Sequence, residues 1–416
     1  MKTHAMDRFF WRNTAGISGT EVFWGIALPV IVESTFLQVF LGSIGAGSGM
    51  IGAIPSLFAL CIAIFAPLSS FLTAHLKHKK RAVILFHALS AVPVVLYGVL
   101  LPLLPGGGLW FFFVSYFAIS AVIGMTLPLW QNFTVNVFSP RMAMKGLSVM
   151  YIVQTAFRVL GGVLITLVIR KYTIATDTAS LIFIGAGLFL FAGSFSFLAV
   201  KETPSTDTKD SAHTLSTFVA AARDILRNRS FILFAVSSVE GITCVTAMSF
   251  MAHFAVAHRS VPAAAAAGLL SAAVSTGSVA GSVLFGWLDT GSLKTKYAIS
   301  KVLTLAGITL VMFGHSLPAF AAAALLFGVA RGIYMIAFSP AVKRLSGRDD
   351  ATDYFSVFPV LVLPFSSGLP FAAGKLVERF AQTEAAYVVM FAVLGGVTLL
   401  TYAALLPLVF GARRST

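Results

Sequence analysis

The chain has 416 residues, of which 58% are hydrophobic and only 11% charged, with a mean hydropathy of +0.91. A composition this apolar excludes an ordinary soluble globule, and continuous apolar runs without ten-residue alternation exclude a transmembrane β-barrel. The formal charge of +14 raises the question of a nucleic-acid partner, but its distribution along the chain, described below, reports membrane topology instead.

Trp11 to Leu41 is an apolar run interrupted by two carboxylates, Glu21 and Glu33, with Pro29 between them. At ~1.5 Å of rise per residue it exceeds what a hydrocarbon core of ~30 Å requires, so it is expected to form a first membrane helix. Twelve such segments follow from hydropathy: 11–41, 48–75, 82–104, 109–138, 145–170, 178–200, 230–258, 262–288, 297–315, 317–340, 354–378 and 384–410. The expectation is an all-α membrane protein with a six-helix half at 1–200, a linker at 201–229 and a second six-helix half at 230–416. The linker opens with a polar stretch from Lys201 to His213. It closes with an amphipathic stretch, Thr214 to Asn228, expected to lie on the inner membrane surface with Leu215, Phe218, Val219, Ala222 and Leu226 on one side. The opposite loops are too short for an extracellular domain.

With the first segment starting inside, nearly all of the 29 Lys and Arg fall in the two tails and the even-to-odd loops. The exceptions are Arg170, Lys171, Arg259, Lys375 and Arg379 on the other side, and Arg158 and Arg331 within helices. This bias places both termini in the cytoplasm of a bacterial-type inner membrane. The basic start followed by an apolar run is too long for a cleaved signal peptide and is expected to stay in the mature protein. Cys61 and Cys244 lie in apolar runs and imply neither a disulfide nor a metal site. Gly45-Ala-Gly47-Ser-Gly49 lacks the preceding strand and following Lys of a phosphate loop. No cofactor, nucleophile constellation or nucleotide motif is found, so an enzyme is not expected.

The chain repeats itself. A shift of 219 positions carries Glu21 onto Glu240, Gly49-Met50 onto Gly268-Leu269 and Lys77 onto Lys296. A shift of 200 carries Phe138-Ser139-Pro140 onto Phe338-Ser339-Pro340 and Gln131 onto Arg331. The common order of these matches argues for a duplicated half with a membrane-embedded glutamate at the start of each. Gly277 and Gly281, four apart, and the pair Gly161-Gly162 predict close helix packing.

Twelve helices in two repeats, a long central loop and short basic inner loops resemble the major facilitator superfamily. The family's inner-loop motif is partly visible as Gly286-Trp-Leu-Asp289-Thr-Gly291-Ser-Leu-Lys294-Thr-Lys296. The first-half copy, Leu72 to Arg81, keeps only the positive charge. The helix-five proline of drug exporters is missing from Arg158-Val-Leu-Gly161-Gly162. The resemblance implies alternating access about a midplane site, a cavity lined by the first, fourth, seventh and tenth helices, and an inner gate at Asp289, Lys77, Lys294 and Lys296.

A charge deep in a membrane helix costs roughly 2.5–3.5 kcal/mol on insertion scales, so embedded charges mark function or a pair. Glu33, Glu21, Glu240, Arg158, Arg331, Gln131 and Asn132 are therefore the candidates for substrate binding or proton coupling, with Glu33 the preferred titrating group and Glu21 and Glu240, kept by the duplication, read rather as structural or gate partners. Three carboxylates face two arginines, leaving one without an arginine partner. A static buried ion pair is the competing reading. Trp24, Trp130 and Tyr334 are candidate cavity aromatics, and His87 and His253 are read as packing residues. The expected function is secondary transport of a small polar or anionic solute by a monomer, with protons as the coupling ion. The alternatives are proton-driven efflux of amphipathic compounds and a scaffold or sensor of the same fold that transports nothing.

Overall fold

A computed structural model describes residues 6–31, 35–73, 75–104, 108–172, 176–204, 215–262 and 266–410. Among these, twelve helices are long and apolar enough to cross a membrane. Lipid offers the backbone no hydrogen-bond partners, so each crossing closes its own ladder as a helix. The first half contains α1 (Phe10–Ile31), α2 (Thr35–Ser43), α3 (Ser48–Thr73), α4 (Lys80–Leu100), α5 (Gly108–Asn136), α6 (Ala143–Tyr172) and α7 (Thr176–Ser194). The linker helix is α8 (Leu215–Arg227). The second half contains α9 (Arg229–His258), α10 (Ser271–Ser282, flanked by π-helical turns), α11 (Leu293–Phe313), α12 (Leu317–Ser346), α13 (Thr352–Arg379) and α14 (Glu384–Leu405). All but α2 and α8 are spans.

Within the apolar run 11–41, α1 covers Phe10–Ile31 and α2 covers Thr35–Ser43, on either side of residues that lie outside the described ones. Glu33 lies outside the described residues. On α8, Val219 and Leu226 are exposed whereas Ala221 and Ile225 are buried.

The contacts divide the chain into two compact units. Unit 1 is Met1–Ala221 with Asp349–Val360, and unit 2 is Ala222–Arg348 with Leu361–Thr416. In unit 1, α1 packs on α6 and α7, α3 on α5, and α4 on α5 and α7. Its core holds Phe36, Phe40, Tyr97, Phe112 and Phe183. In unit 2, α9 packs on α12 and α14, α10 on α12, and α11 on α12 and α14. Phe254, Phe320, Phe327, Tyr387 and Phe391 fill its core. Under the duplication, the α3–α5, α4–α5, α4–α7 and α1–α7 pairings recur as α10–α12, α11–α12, α11–α14 and α9–α14.

Small residues set the closest crossing. A Cβ on Gly281 would lie 2.5 Å from the Val329 carbonyl oxygen, and one on Gly277 would collide with that of Leu325. Gly161 meets Ile26 in the same way, at 2.6 Å from its carbonyl, but Gly162 has open space. Gly277→Ala is therefore expected to cost about 1–3 kcal/mol through overpacking. Gly162→Ala is expected to be neutral or mildly stabilising, since alanine only lowers the helix's entropy cost. Thermal unfolding of the two purified variants in detergent checks the contrast.

Candidate functional site

In unit 1, Glu21 is 3% exposed on α1 and accepts a hydrogen bond from Gln154 Nε2 on α6. Gln154 Oε1 in turn accepts one from Arg158 Nη2, one helical turn further along, at 3.1 Å. The amide thus links the carboxylate to the guanidinium, and the three side chains form a polar chain between α1 and α6. Their helices are brought together by Gly25, on which a Cβ would lie 3.0 Å from Phe157 Cβ and 3.1 Å from Arg158 N.

In unit 2, Glu240 is 1% exposed on α9 and meets α11 instead. Its Oε1 accepts from Thr304 Oγ1 at 2.5 Å, and both carboxylate oxygens lie 3.1–3.2 Å from Ser300 Oγ. Lys301 Nζ is 3.9 Å from Oε2 and donates to the Ser237 carbonyl at 2.8 Å. Lys301 was grouped with the loop cations in the sequence. It lies instead inside α11 with no solvent exposure, so the embedded cations outnumber the two arginines first counted. The period of α11 carried the signal, because Lys301 is one turn beyond Tyr297 and Lys296 within an apolar run. Equivalent positions in the repeat, Glu21 and Glu240, therefore have different partners.

A third cluster lies at the end of unit 1 that holds the start of α1, where Asn13 Nδ2 donates to the carbonyls of Val137 and Lys201. Lys79 Nζ pairs with Asp350 Oδ2 at 2.5 Å and donates to Thr352 Oγ1 at 2.8 Å. Asp350 Oδ1 accepts from Asn132 Nδ2 at 3.0 Å, and from Thr352 Oγ1 and N at 2.6 and 3.0 Å. Asn136 Nδ2 reaches the Asp349 carbonyl, and Ser70 donates to Asp353. Asn132 is thus part of this cluster, at one end of α5. Glu202 accepts from the backbone N–H groups of Lys79 and Lys80, holding the start of α4. Gly347, at φ 62°, ends α12 in a left-handed turn and lets the chain reach Asp350.

The remaining expected residues are dispersed. Lys296, fully buried, pairs with Asp289 at 2.5 Å, and Lys294 Nζ donates to the Leu406 carbonyl at 2.5 Å. Lys77 is exposed, and its neighbour Lys79 makes the ion pair. Arg331 and Gln131 are half-buried. Trp24 packs edge-on to His87 at 5.2 Å, Trp130 is half-buried, and Tyr334 stacks on Phe338 at 5.7 Å. A separate apolar crevice in unit 1, with a cavity volume of only about 20 Å³, is lined by Tyr97, Phe112, Tyr116 and Phe183 with Val30 and Pro93. None of the charged candidates lines it. Among the described residues no cluster of His, Cys, Asp or Glu is placed to hold a metal.

Twelve spans in two units, with a glutamate buried against polar side chains in each unit, define an integral membrane protein with charge inside its bundles. The sequence matches the family description Major Facilitator Superfamily over residues 19–360, and the chain belongs to that family. No curated protein is significantly similar in sequence. The fold is similar to that of the E. coli fucose:proton symporter FucP, with a TM-score of 0.69 at 16% identity, covering 93% of this chain and 98% of that one. A structure of FucP in the outward conformation gives a TM-score of 0.70, also at 16% identity and the same coverage. The human organic anion transporter MFSD10 (TETRAN) gives 0.63 at 16% identity, covering 96% and 99%.

Asp350 lies between α12 and α13. Burial pushes its carboxyl up, but the Lys79 ammonium and the donors of Lys79 and Thr352 outweigh this and hold it below the ordinary 3.8. Its contribution to stability is therefore complete above that value and lost as the pH falls through the lowered one. Asp350→Asn is expected to cost on the order of 3 kcal/mol at neutral pH, because Lys79 is left buried beside a neutral amide. The gap between the variant and the parent should close only below about pH 3.8, which paired melting curves across an acid series test.

Proposed function

We propose that this chain is a proton-coupled secondary transporter for a small polar or anionic organic solute, working by alternating access as a monomer. Residues 1–200 and 230–416 act as the two moving bundles and 201–229 as a cytoplasmic linker. The basic inner loops place both termini on the cytoplasmic side of a bacterial inner membrane. The observation that carries the reading is the Glu21–Gln154–Arg158 chain of unit 1, in a member of this family.

The chemistry follows from the linkage. A carboxylate in an apolar bundle takes up a proton readily, and a guanidinium brought close drives that proton off. Gln154 bridges the two by hydrogen bonds, so Arg158 acts on Glu21 through an amide that can turn as well as by its charge. If an anionic solute engages Arg158 through its forked donors, the influence of Arg158 on Glu21 weakens and a proton is taken up with the solute. Arg331, Gln131, Trp24, Trp130 and Tyr334 remain the proposed further contacts, and Glu33 a second proton carrier. Asp289, Lys77, Lys294 and Lys296 remain the proposed inner gate, joined by Lys79 and Asp350. The fucose:proton symporter among the similar folds makes sugars one solute class to test, and the organic anion transporter makes carboxylates another.

The aromatic side chains, 12% of the residues, support a second reading, export of amphipathic compounds.

A thermal-stability screen of the purified protein against sugars, organic acids, amino acids, nucleosides and cationic dyes, at acidic and neutral pH, separates these readings. A bound solute raises the melting temperature by mass action. One polar class should shift it in a pH-dependent way, and Arg158→Ala should weaken that class by about tenfold or more, the size of a lost charged hydrogen bond. Glu21→Gln should keep binding but abolish its pH dependence. Shifts with dyes alone would favour the second reading, and an unchanged response in both variants would remove the polar chain from the mechanism.

A further inference from the structure

Lys301 is held as a charge rather than as a hydrogen-bonding partner of Glu240. An ammonium has three protons to donate, yet its one close acceptor among the described residues is the Ser237 carbonyl at 2.8 Å. The Glu240 carboxylate, at 3.9 Å, is beyond hydrogen-bond range, and its oxygens are engaged by the Thr304 and Ser300 hydroxyls. The remaining neighbour is the ring of Tyr297, with its centroid 5.7 Å from Nζ. Ser237, Glu240, Ser300, Lys301 and Thr304 are all at most 1% exposed, so no solvent reaches the group. Ser237 Oγ and Tyr297 Oη, on the residues that meet the ammonium, are buried without a hydrogen-bond partner among the described residues.

A carbonyl oxygen, an unengaged hydroxyl and a carboxylate at ionic distance are the ligands a hard monovalent cation takes inside a membrane bundle. We propose that unit 2 contains a buried monovalent-cation site, built from the Ser237 carbonyl and hydroxyl and the Glu240 carboxylate, whose resident cation is the tethered ammonium of Lys301. With its cation covalently attached, Glu240 stays charge-compensated throughout any cycle. The proton exchange assigned to Glu21 then has no counterpart in unit 2. That last consequence rests on the proposed transport function, whereas the site itself does not.

The test is thermal unfolding of the purified full-length protein in sodium, potassium or N-methylglucamine chloride at equal ionic strength. The parent should melt at one temperature in all three salts. Lys301→Ala opens the space of the side chain and should melt lower in N-methylglucamine. It should recover part of the loss, saturably, in sodium or potassium. Lys301→Met removes the charge but fills the space, and Lys301→Ala combined with Glu240→Gln removes the carboxylate, so neither should respond to the cation. The proposal is overturned if Lys301→Ala is equally destabilised in all three salts, or if its response survives Glu240→Gln. It is also overturned if the parent itself is stabilised by sodium and loses this in Glu240→Gln. Should Lys301→Ala yield no folded protein in N-methylglucamine, monodisperse yield in sodium becomes the readout, and equal loss there overturns it. Since the readout is stability, its failure is distinct from failure of the transport reading.

Discussion

A carboxylate inside a membrane bundle has no water to solvate it, so donors or a cation must be supplied within a few ångströms by neighbouring helices. That requirement organises both units. Glu21 on α1 is answered from α6 by Gln154, and Glu240 on α9 is answered from α11 by Ser300, Thr304 and Lys301. Each glutamate therefore fixes which face of its helix turns inward and which neighbour it must meet.

The difference between the two answers bears on function. In unit 2 the negative charge has a cation of its own in the same layer, held by the Ser237 carbonyl, and two hydroxyls on its oxygens. This arrangement resembles a static buried pair, whose chief effect is to fix the packing of α9 against α11. In unit 1 a neutral amide intervenes between Glu21 and the half-buried Arg158. Glutamates at matching positions of the two halves thus have different partners.

The polar cluster around Asp350 follows the same rule at one end of unit 1. Asp349–Val360 is flanked in sequence by residues of unit 2 yet counts with unit 1 by its contacts. An ion pair, two asparagines and a threonine satisfy nearly every polar atom of the turn.

Much of the architecture was legible in the sequence, because hydropathy reports directly on the medium each segment occupies. The twelve spans, the twofold division, the embedded Glu21 and Glu240, and the close packing at Gly277 and Gly281 all follow from residue type and spacing. The partners do not. Gln154, Ser300 and Thr304 are unremarkable in a linear reading, and Lys301 and Lys79 look like ordinary positive-inside cations. Asp350 looks like a loop residue, and Asn132 like a cavity residue. Which of these meets which is set by the rotation of each helix about its axis and by the pairing of helices distant in sequence. Those are fixed by the packing of whole helix faces, an interaction no single segment contains, so only the tertiary structure decided that Glu21 meets an amide and Glu240 a lysine.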